Sequence, residues 1–275
     1  LGSLFTAAAS FLDARAHGGR WLVRMEDVDR AREVPGAAAR ILRTLETFGF
    51  EWDAEVLRQS DRNDLYAASL DSLRARGLTF ECSCSRLDLA EQSRYPGHCR
   101  AGVRNPDSPT ATRLRIDPQT ITFTDRIQGR KAQDVASVMG DAILRRRDGF
   151  FAYLLAVVVD DAAQGVTHIV RGADLLEDTP RQIYLQRSLA LPTPRYAHVP
   201  VLVEPDGSKL AKSARSVPMH AAAPRDQLRT VLRLLGLRPP RTLEGAPVAE
   251  LWTWAKANWA LTRLGKRPTL VLGSG

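Results

Sequence analysis

Trp21-Leu22-Val23-Arg24-Met25-Glu26-Asp27-Val28-Asp29-Arg30-Ala31-Arg32 is a short apolar run that passes directly into a series of charges. That order predicts a buried strand over 21–23 whose carboxyl end carries Arg24, Glu26, Asp27 and Asp29. In an open parallel α/β sheet, ligands bind at that edge. Side chains alternate along a strand, so Arg24, Glu26 and Val28 are expected to face one way and Asp27 and Asp29 the other. Glu26 is then free to meet a ligand ammonium while Asp27 and Asp29 hold neighbouring loops. A solvated salt-bridge cluster at a strand end has the same composition.

Upstream, Ser3 as N-cap and Leu4, Ala7, Ala8, Phe11, Leu12 and Ala16 on one face predict a helix stopped by Gly18-Gly19. A doubly wound domain begins with a strand, so a strand and a phosphate-facing turn are expected before Leu1. Downstream, Pro35-Gly36 opens a helix with Ala38, Ile41, Leu42, Leu45 and Phe48 on its apolar stripe. A third helix is expected over 61–76, with Leu65, Leu70 and Leu73 buried.

The run from Phe151 to Asp161 is too apolar to have an exposed face and reads as a buried strand. Gly165 to Asp174 reads as another, ending in Arg171, and Pro180 in a first turn marks a helix capped by Asp178 or Thr179. A guanidinium at a strand's ligand edge suits bidentate capture of a carboxylate. Pairing of Arg171 with Asp174 or Asp178 is the structural alternative.

Between these halves lie the chain's three cysteines, Cys82, Cys84 and Cys99, all in one short segment. Such clustering suits a metal in a reducing compartment better than a disulfide frame. Three thiolates around Zn²⁺ stabilise a small subdomain outright; buried free thiols are the alternative. The fourth ligand is open between His98, the ordinary choice, and Tyr95, whose phenol the metal must deprotonate. Short alternating strands over 112–116, 121–125 and 142–144 predict a β-rich insertion continuous with this segment. Its Arg113, Arg115, Arg126, Arg130, Lys131, Arg145, Arg146 and Arg147 make a candidate nucleic-acid face.

Composition narrows the class. At 44% hydrophobic and 25% charged the chain is a folded globular protein rather than a disordered tail. Its 39 basic against 31 acidic residues, a net +8, favour a polyanionic partner. No run is long enough to span a bilayer and no basic-then-apolar leader opens the chain, so a cytoplasmic, membrane-free protein is expected. Lysine is rare here, at 131, 209, 212, 256 and 266 only, yet Lys209 and Lys212 share one Gly- and Ser-containing loop. A compact, mobile ammonium can follow a phosphate as charge builds during displacement. From 224 to 264 the pattern is helical, with Trp252, Trp254 and Trp259 spaced for core packing rather than base stacking. Pro268 to Gly275 reads as a loose tail.

Taken in order, these motifs resemble the catalytic portion of class I glutamyl-tRNA synthetases, over nearly the whole chain. They most resemble a short paralogous branch that attaches glutamate to queuosine in the anticodon of aspartate tRNA. Trp21 to Arg32 is similar to the family's Arg-x-Glu-Asp-x-Asp segment, and Cys82, Cys84, Tyr95 and Cys99 fall on its zinc set, which favours Tyr95 over His98. Tyr153 to Asp161 with Arg171-Gly-Ala-Asp-Leu-Leu is similar to its amino-acid pocket, and Lys209 to Ser213 to its ATP-handling Lys-Met-Ser-Lys-Ser loop.

The resemblance implies an α/β fold, a Rossmann-like parallel sheet in two halves, 1–79 and 149–222. A zinc-bearing β-rich insertion, 80–148, separates them, and a helical segment, 223–275, follows. It implies that Glu26 binds the ammonium of L-glutamate, Arg171 its side-chain carboxylate, and that Tyr153 lines the same pocket. Lys209 and Lys212 are then catalytic, Lys212 on the phosphates of ATP with Mg²⁺. Zn²⁺ is the implied metal, tRNA(Asp) carrying queuosine the implied acceptor, and a monomer the expected state. Two departures stand out: Ala211 replaces a usual Ser, and the family's first strand, its substrate-binding Arg and the leading His of its His-Ile-Gly-His-like motif precede Leu1. Their absence is expected to cost activity. Only residues 214–275 follow Ser213, too few to reach an anticodon while charging an acceptor end. The alternatives are a catalytic fragment of a glutamyl-tRNA synthetase acting on tRNA(Glu), and a non-catalytic zinc-bearing RNA-binding module.

Overall fold

The computed structural model describes residues 1–29, 33–90, 92, 94–208 and 223–272. Helix α1 (Gly2–Ala16) buries Leu4, Phe5, Ala8, Phe11 and Leu12, a single stripe at helical spacing. Beyond it the chain runs extended, with Trp21, Val23 and Met25 turned into the core. The ladder is shorter and later than the sequence leads one to expect. Strand β1 (Arg24–Met25) pairs parallel with β2 (Leu57–Arg58), which offers only two residues in register. Helix α2 (Ala37–Thr47) lies between them and buries none of its own residues; Ile41, expected inside, is exposed, whereas Phe48 just past its end is fully buried. Helix α3 (Asn63–Ala75) buries Tyr66, Leu70 and Leu73, and Leu65 lies at the surface instead.

The insertion carries β3 (Thr79–Cys82), β4 (Ala111–Leu114), β5 (Thr120–Asp125), β6 (Gly129–Asp134), a short α4 (Val135–Val138) and β7 (Ile143–Arg145). Strands β3, β4 and β7 form an antiparallel sheet and β5 with β6 a hairpin. Strand β6, Gly-Arg-Lys-Ala-Gln-Asp, has no apolar alternation and owes its strand form to pairing with β5.

The apolar run after Phe151 is a helix, α5 (Tyr153–Ala163), not the expected strand. Leu154 to Asp161 are all buried, so neither helical nor strand periodicity shows in the sequence. Strand β8 (His168–Gly172), α6 (Thr179–Ser188) and β9 (Arg195–Val199) form a parallel pair with its crossover. Strand β10 (Val201–Val203) precedes α7 (Pro224–Leu234) and α8 (Val248–Asn258). The C-terminal stretch is not a loose tail throughout: β11 (Thr269–Val271) lies parallel to β10, Leu202 opposite Leu270. Docking there satisfies backbone groups that an uncovered edge leaves open. Among the described residues, parallel pairing occurs as three two-stranded ladders rather than one sheet.

Among the described residues two large cores result, beside a small cluster around Cys82, Cys84, Tyr95 and Cys99. One joins α1, Trp21, Phe50 and β10 to α7 and α8, with Phe11 and Phe50 in ring contact with each other and each with Trp21 and Trp252. Trp252 donates its indole N–H to the Phe48 carbonyl at 2.8 Å, so it serves the core as its spacing predicts. The other joins α3, α5 and α6 to Leu114, Ile121 and Leu144 of the insertion. No helix among the described residues is long and apolar enough to cross a membrane.

Candidate active site

Glu26 stands just past β1, where the alternation of Trp21, Val23 and Met25 into the core turns Arg24 and Glu26 the other way. The Arg24 guanidinium lies 3.3 Å from the Glu26 carboxylate and 2.8 Å from that of Asp161 in the last turn of α5. Its other terminal nitrogen donates to Gln164. Beside Asp161, fully buried Asp160 accepts hydrogen bonds from Gln59 Nε2 at 2.9 Å, Arg62 Nε at 2.6 Å and the Tyr66 hydroxyl at 2.6 Å. Two carboxylates in a last helical turn oppose the helix dipole. Arg24 and Arg62 offset that cost and fasten α5 to β1 and α3.

Burial raises the Glu26 carboxyl above its ordinary range against the pull of Arg24 and, more weakly, of Arg171. Its side chain is still 40% exposed. Burial likewise raises Asp161, against Arg24. Tyr153, at the first turn of α5, has its phenol pushed up to about 12 by burial and the Glu26 charge, with Arg171 opposing. Glu26, Tyr153 and Arg171 thus act on one another electrostatically, although 127 residues separate the first two in sequence (153 − 26). Asp27 and Asp29 face away, as the alternation predicts: Asp27 accepts from the Ser60 N–H and hydroxyl, and Asp29 from Arg146 at 2.5 Å.

At the end of β8, Arg171 donates through Nε to His198 Nε2 at 3.0 Å and through Nη2 to the Thr179 hydroxyl at 3.0 Å. It lies over the Tyr196 ring, 5.3 Å from the centroid. Asp178, offered by the sequence as an alternative partner for Arg171, instead accepts from Arg181 at 2.5 Å. His198 on β9 is fully buried, and sequence reasoning assigned it nothing.

Cys82, Cys84 and Cys99 bring their sulfurs within 4.8 Å of one another, close enough to ligate one metal ion. The buried Tyr95 hydroxyl sits 3.4 Å from Cys82 Sγ and accepts the Cys99 N–H at 2.8 Å. The exposed His98 ring is engaged at Nδ1 by Arg104 at 2.9 Å. Gly140, at φ 63°, bridges the Tyr95 backbone; a Cβ there would stand 2.7 Å from the Tyr95 carbonyl oxygen, so only glycine seats this strandlet.

The basic residues of the insertion do not make one open face. Arg113 is buried with its guanidinium 3.8 Å from the Tyr95 ring centroid, Arg126 is paired with Asp13, and Arg146 with Asp29 and Asp148. A groove of about 420 Å³ runs between the cysteine segment and α5–α6, lined among others by Tyr95, Arg113, Tyr153, Arg181 and Gln182. A second cavity, about 490 Å³, beside Asp13, His17 and His168, includes none of the expected site residues. Lys209 and Lys212 lie outside the described residues; the approach to them is a turn in which Asp206 accepts the Ser208 N–H at 2.8 Å.

Residues 1–253 match the family described as tRNA synthetases class I (E and Q), catalytic domain. Glutamyl-Q tRNA(Asp) synthetase of Ectopseudomonas mendocina is 54% identical across 98% of this chain and 92% of its own length. The protein of the same name from Thiobacillus denitrificans is 50% identical over the same shares. Among solved structures, a glutamate-tRNA synthetase from Elizabethkingia anophelis matches with a TM-score of 0.80 over 99% of this chain at 20% identity. A glutamate tRNA ligase from Elizabethkingia meningosepticum, in complex with its amino acid, matches at 0.79 over the same share, also at 20% identity. This chain spans 65% and 64% of those two, and at that identity the likeness is one of fold.

Proposed function

The chain belongs to the class I tRNA synthetases of the E and Q group, and within them to the glutamyl-Q tRNA(Asp) synthetases; from that membership we propose that it activates L-glutamate with ATP and passes the glutamyl group to queuosine in the anticodon of tRNA(Asp). It is a ligase-like synthetase paralogue, and ATP with Mg²⁺ is the cosubstrate of its class. In this reading Glu26 takes the substrate ammonium, Arg171 the side-chain carboxylate, and Tyr153 forms the wall between them. An α-carboxylate oxygen attacks the α-phosphorus of ATP, and pyrophosphate leaves as Lys209 and Lys212 compensate its charge. A hydroxyl of the queuosine cyclopentene ring, arriving along the groove past Tyr153, then attacks the glutamyl carbonyl and expels AMP. Positioning and charge compensation carry such a reaction, since the protein forms no covalent bond.

What supports this assignment most is the 54% identity, over 98% of the chain, to a glutamyl-Q tRNA(Asp) synthetase, with Glu26, Tyr153 and Arg171 near enough for the Arg171 charge to bear on the other two. An acidic amino acid offers an ammonium to such an anion and a carboxylate to such a cation. Cys82, Cys84, Cys99 and Tyr95 are the proposed holders of Zn²⁺, whose chemistry there is to join the segment into one folded unit. The donor set fits: three buried thiols and a phenol converge, while His98 is turned to Arg104.

Glutamate-dependent ATP–pyrophosphate exchange tests the first step. Labelled glutamate offered with queuosine-modified tRNA(Asp) and with tRNA(Glu), side by side, tests the second. Exchange with transfer to the modified tRNA(Asp) is expected. Charging of tRNA(Glu) alone would replace this reading with that of a glutamyl-tRNA synthetase piece, and absent exchange with intact RNA binding would leave a binding module.

A further inference from the structure

We propose that His198 is a positioning residue for glutamate recognition: a neutral imidazole, locked in one tautomer by Asp125, that accepts the Nε–H of Arg171 and aims the guanidinium into the crevice. The inference rests on Arg171 being the carboxylate-binding residue. His198 Nδ1 lies 2.6 Å from Asp125 Oδ2, both side chains fully buried. Asp125 also accepts the backbone N–H groups of Ile127, Gln128 and His198 at 2.9, 2.7 and 3.1 Å, the donor set of an ionised carboxylate. Nδ1 therefore carries the ring proton. At the opposite edge Arg171 Nε points at Nε2 from 3.0 Å. A guanidinium donates only, so Nε2 must offer its lone pair and the ring must be neutral.

Thr179 completes the seat. Its hydroxyl, fully buried, accepts from Arg171 Nη2 and donates to the Leu175 carbonyl at 3.1 Å. Its oxygen also lies 3.2 Å from His198 Nε2. Arg171 is thus held along its Nε–Nη2 edge. That leaves the Nη1–Nη2 edge, whose Nη1 has no protein partner among the described residues, for bidentate capture of a carboxylate. The groups facing the imidazole are Asp125 from β5, Arg171 from β8, Asp174 after it, and the stacked Tyr196 on β9. Burial, followed by the Arg171 charge, lowers the imidazole below its ordinary value against the pull of Asp125 and Asp174. Protonation in acid would set two donors against each other and release Arg171.

Calorimetric titration of the full chain with L-glutamate, with ATP as control, tests this without turnover. His198→Leu should weaken glutamate about ten- to a hundredfold, the range of a lost hydrogen bond to a charged group, with ATP affinity unchanged. His198→Gln, whose amide oxygen can still accept from Arg171, should recover part of the loss. Glu26 and Asp161 also titrate in acid, so the informative quantity is the acid weakening present in the wild type and absent from His198→Gln. Spectra of the ¹⁵N-histidine-labelled wild type should show, besides His17, whose Nδ1 donates to the Asp13 carbonyl at 2.7 Å, a second ring protonated at Nδ1 only at neutral pH, a signal missing from His198→Gln. That measurement stands even where a variant fails to fold. Wild-type glutamate affinity in His198→Leu, or an Nε2-protonated His198, would overturn the proposal. No glutamate binding by the wild type, with the tautomer as stated, would instead remove the assignment of Arg171.

Discussion

The proposed glutamate site and the cysteine cluster reach the two sides of one groove, through Tyr153 and Tyr95, but they are held by opposite means. In the crevice, cationic side chains are fastened to acceptors from distant elements: Arg24 to Asp161, Arg62 to Asp160, Arg171 to His198. In the cluster, three thiols and a phenol face one another, with the Arg113 guanidinium stacked on the phenol ring. Charge-assisted hydrogen bonds order the crevice before any ligand arrives. Thiols are weak donors and weak acceptors, so in the proposed reading a metal bound by these residues supplies the order that their hydrogen bonds do not. On the function proposed above, protein groups preorganise the glutamate side and a bound metal would organise the insertion side.

The most damaging test of that contrast removes the crevice's buried acceptor. Asp160→Ala leaves Arg62, Tyr66 and Gln59 without their shared partner, and a denaturant melt should show about 3–5 kcal/mol lost; a loss under about 1 kcal/mol would deny that the network is structural. Next, Arg171→Ala should lower kcat/KM for glutamate about 10²–10³-fold, the size expected for one charge-stabilising donor, with the melt little changed. Equal loss of stability would mark Arg171 as part of the frame instead.

Metal removal addresses the other side. A chelator, or Cys84→Ser, should lower stability by about 3 kcal/mol relative to protein with zinc a few hundredfold above its dissociation constant. Transfer to tRNA should fall while glutamate-dependent exchange persists, and loss of both together would show that the two regions are one unit. Smallest is Gln182→Leu, on the groove between them and only 2% exposed. Exchange should stay at the wild-type rate and transfer should drop about fivefold, near 1 kcal/mol, for one neutral hydrogen bond. An equal fall in exchange would put Gln182 in the amino-acid site.

Much of this site is legible without coordinates because its reactive groups sit in local patterns. Glu26 follows an alternating strand edge, the cysteines share one short segment, and Arg171 ends an apolar strand. Asp27 and Asp29 behave as their parity requires, holding Ser60 and Arg146. The supporting groups left no such signal. Asp160 and Asp161 look like the polar end of a strand until α5 proves helical, and His198 is a single buried histidine in a short strand that opens on exposed Arg195. The misreading of α5 has a plain cause, since a segment buried all round shows no period of either kind. The ladder between β10 and β11 escaped for a related reason, because a three-residue strand near Pro and Gly acquires its form from its partner.

Residue type and short-range spacing alone determined the chemistry on offer: a carboxylate and a guanidinium at strand ends, a thiol cluster, two lysines in an arginine-rich chain. Such features depend on neighbours a few positions away, where backbone geometry dictates who faces whom. Folding alone decided what each group leans on, as Arg24 does on Asp161 from 137 positions away and His198 on Asp125 from 73. Those pairings depend on how helices and strands pack, and hydrogen-bond geometry within about 3 Å is a property of packing that no local pattern encodes.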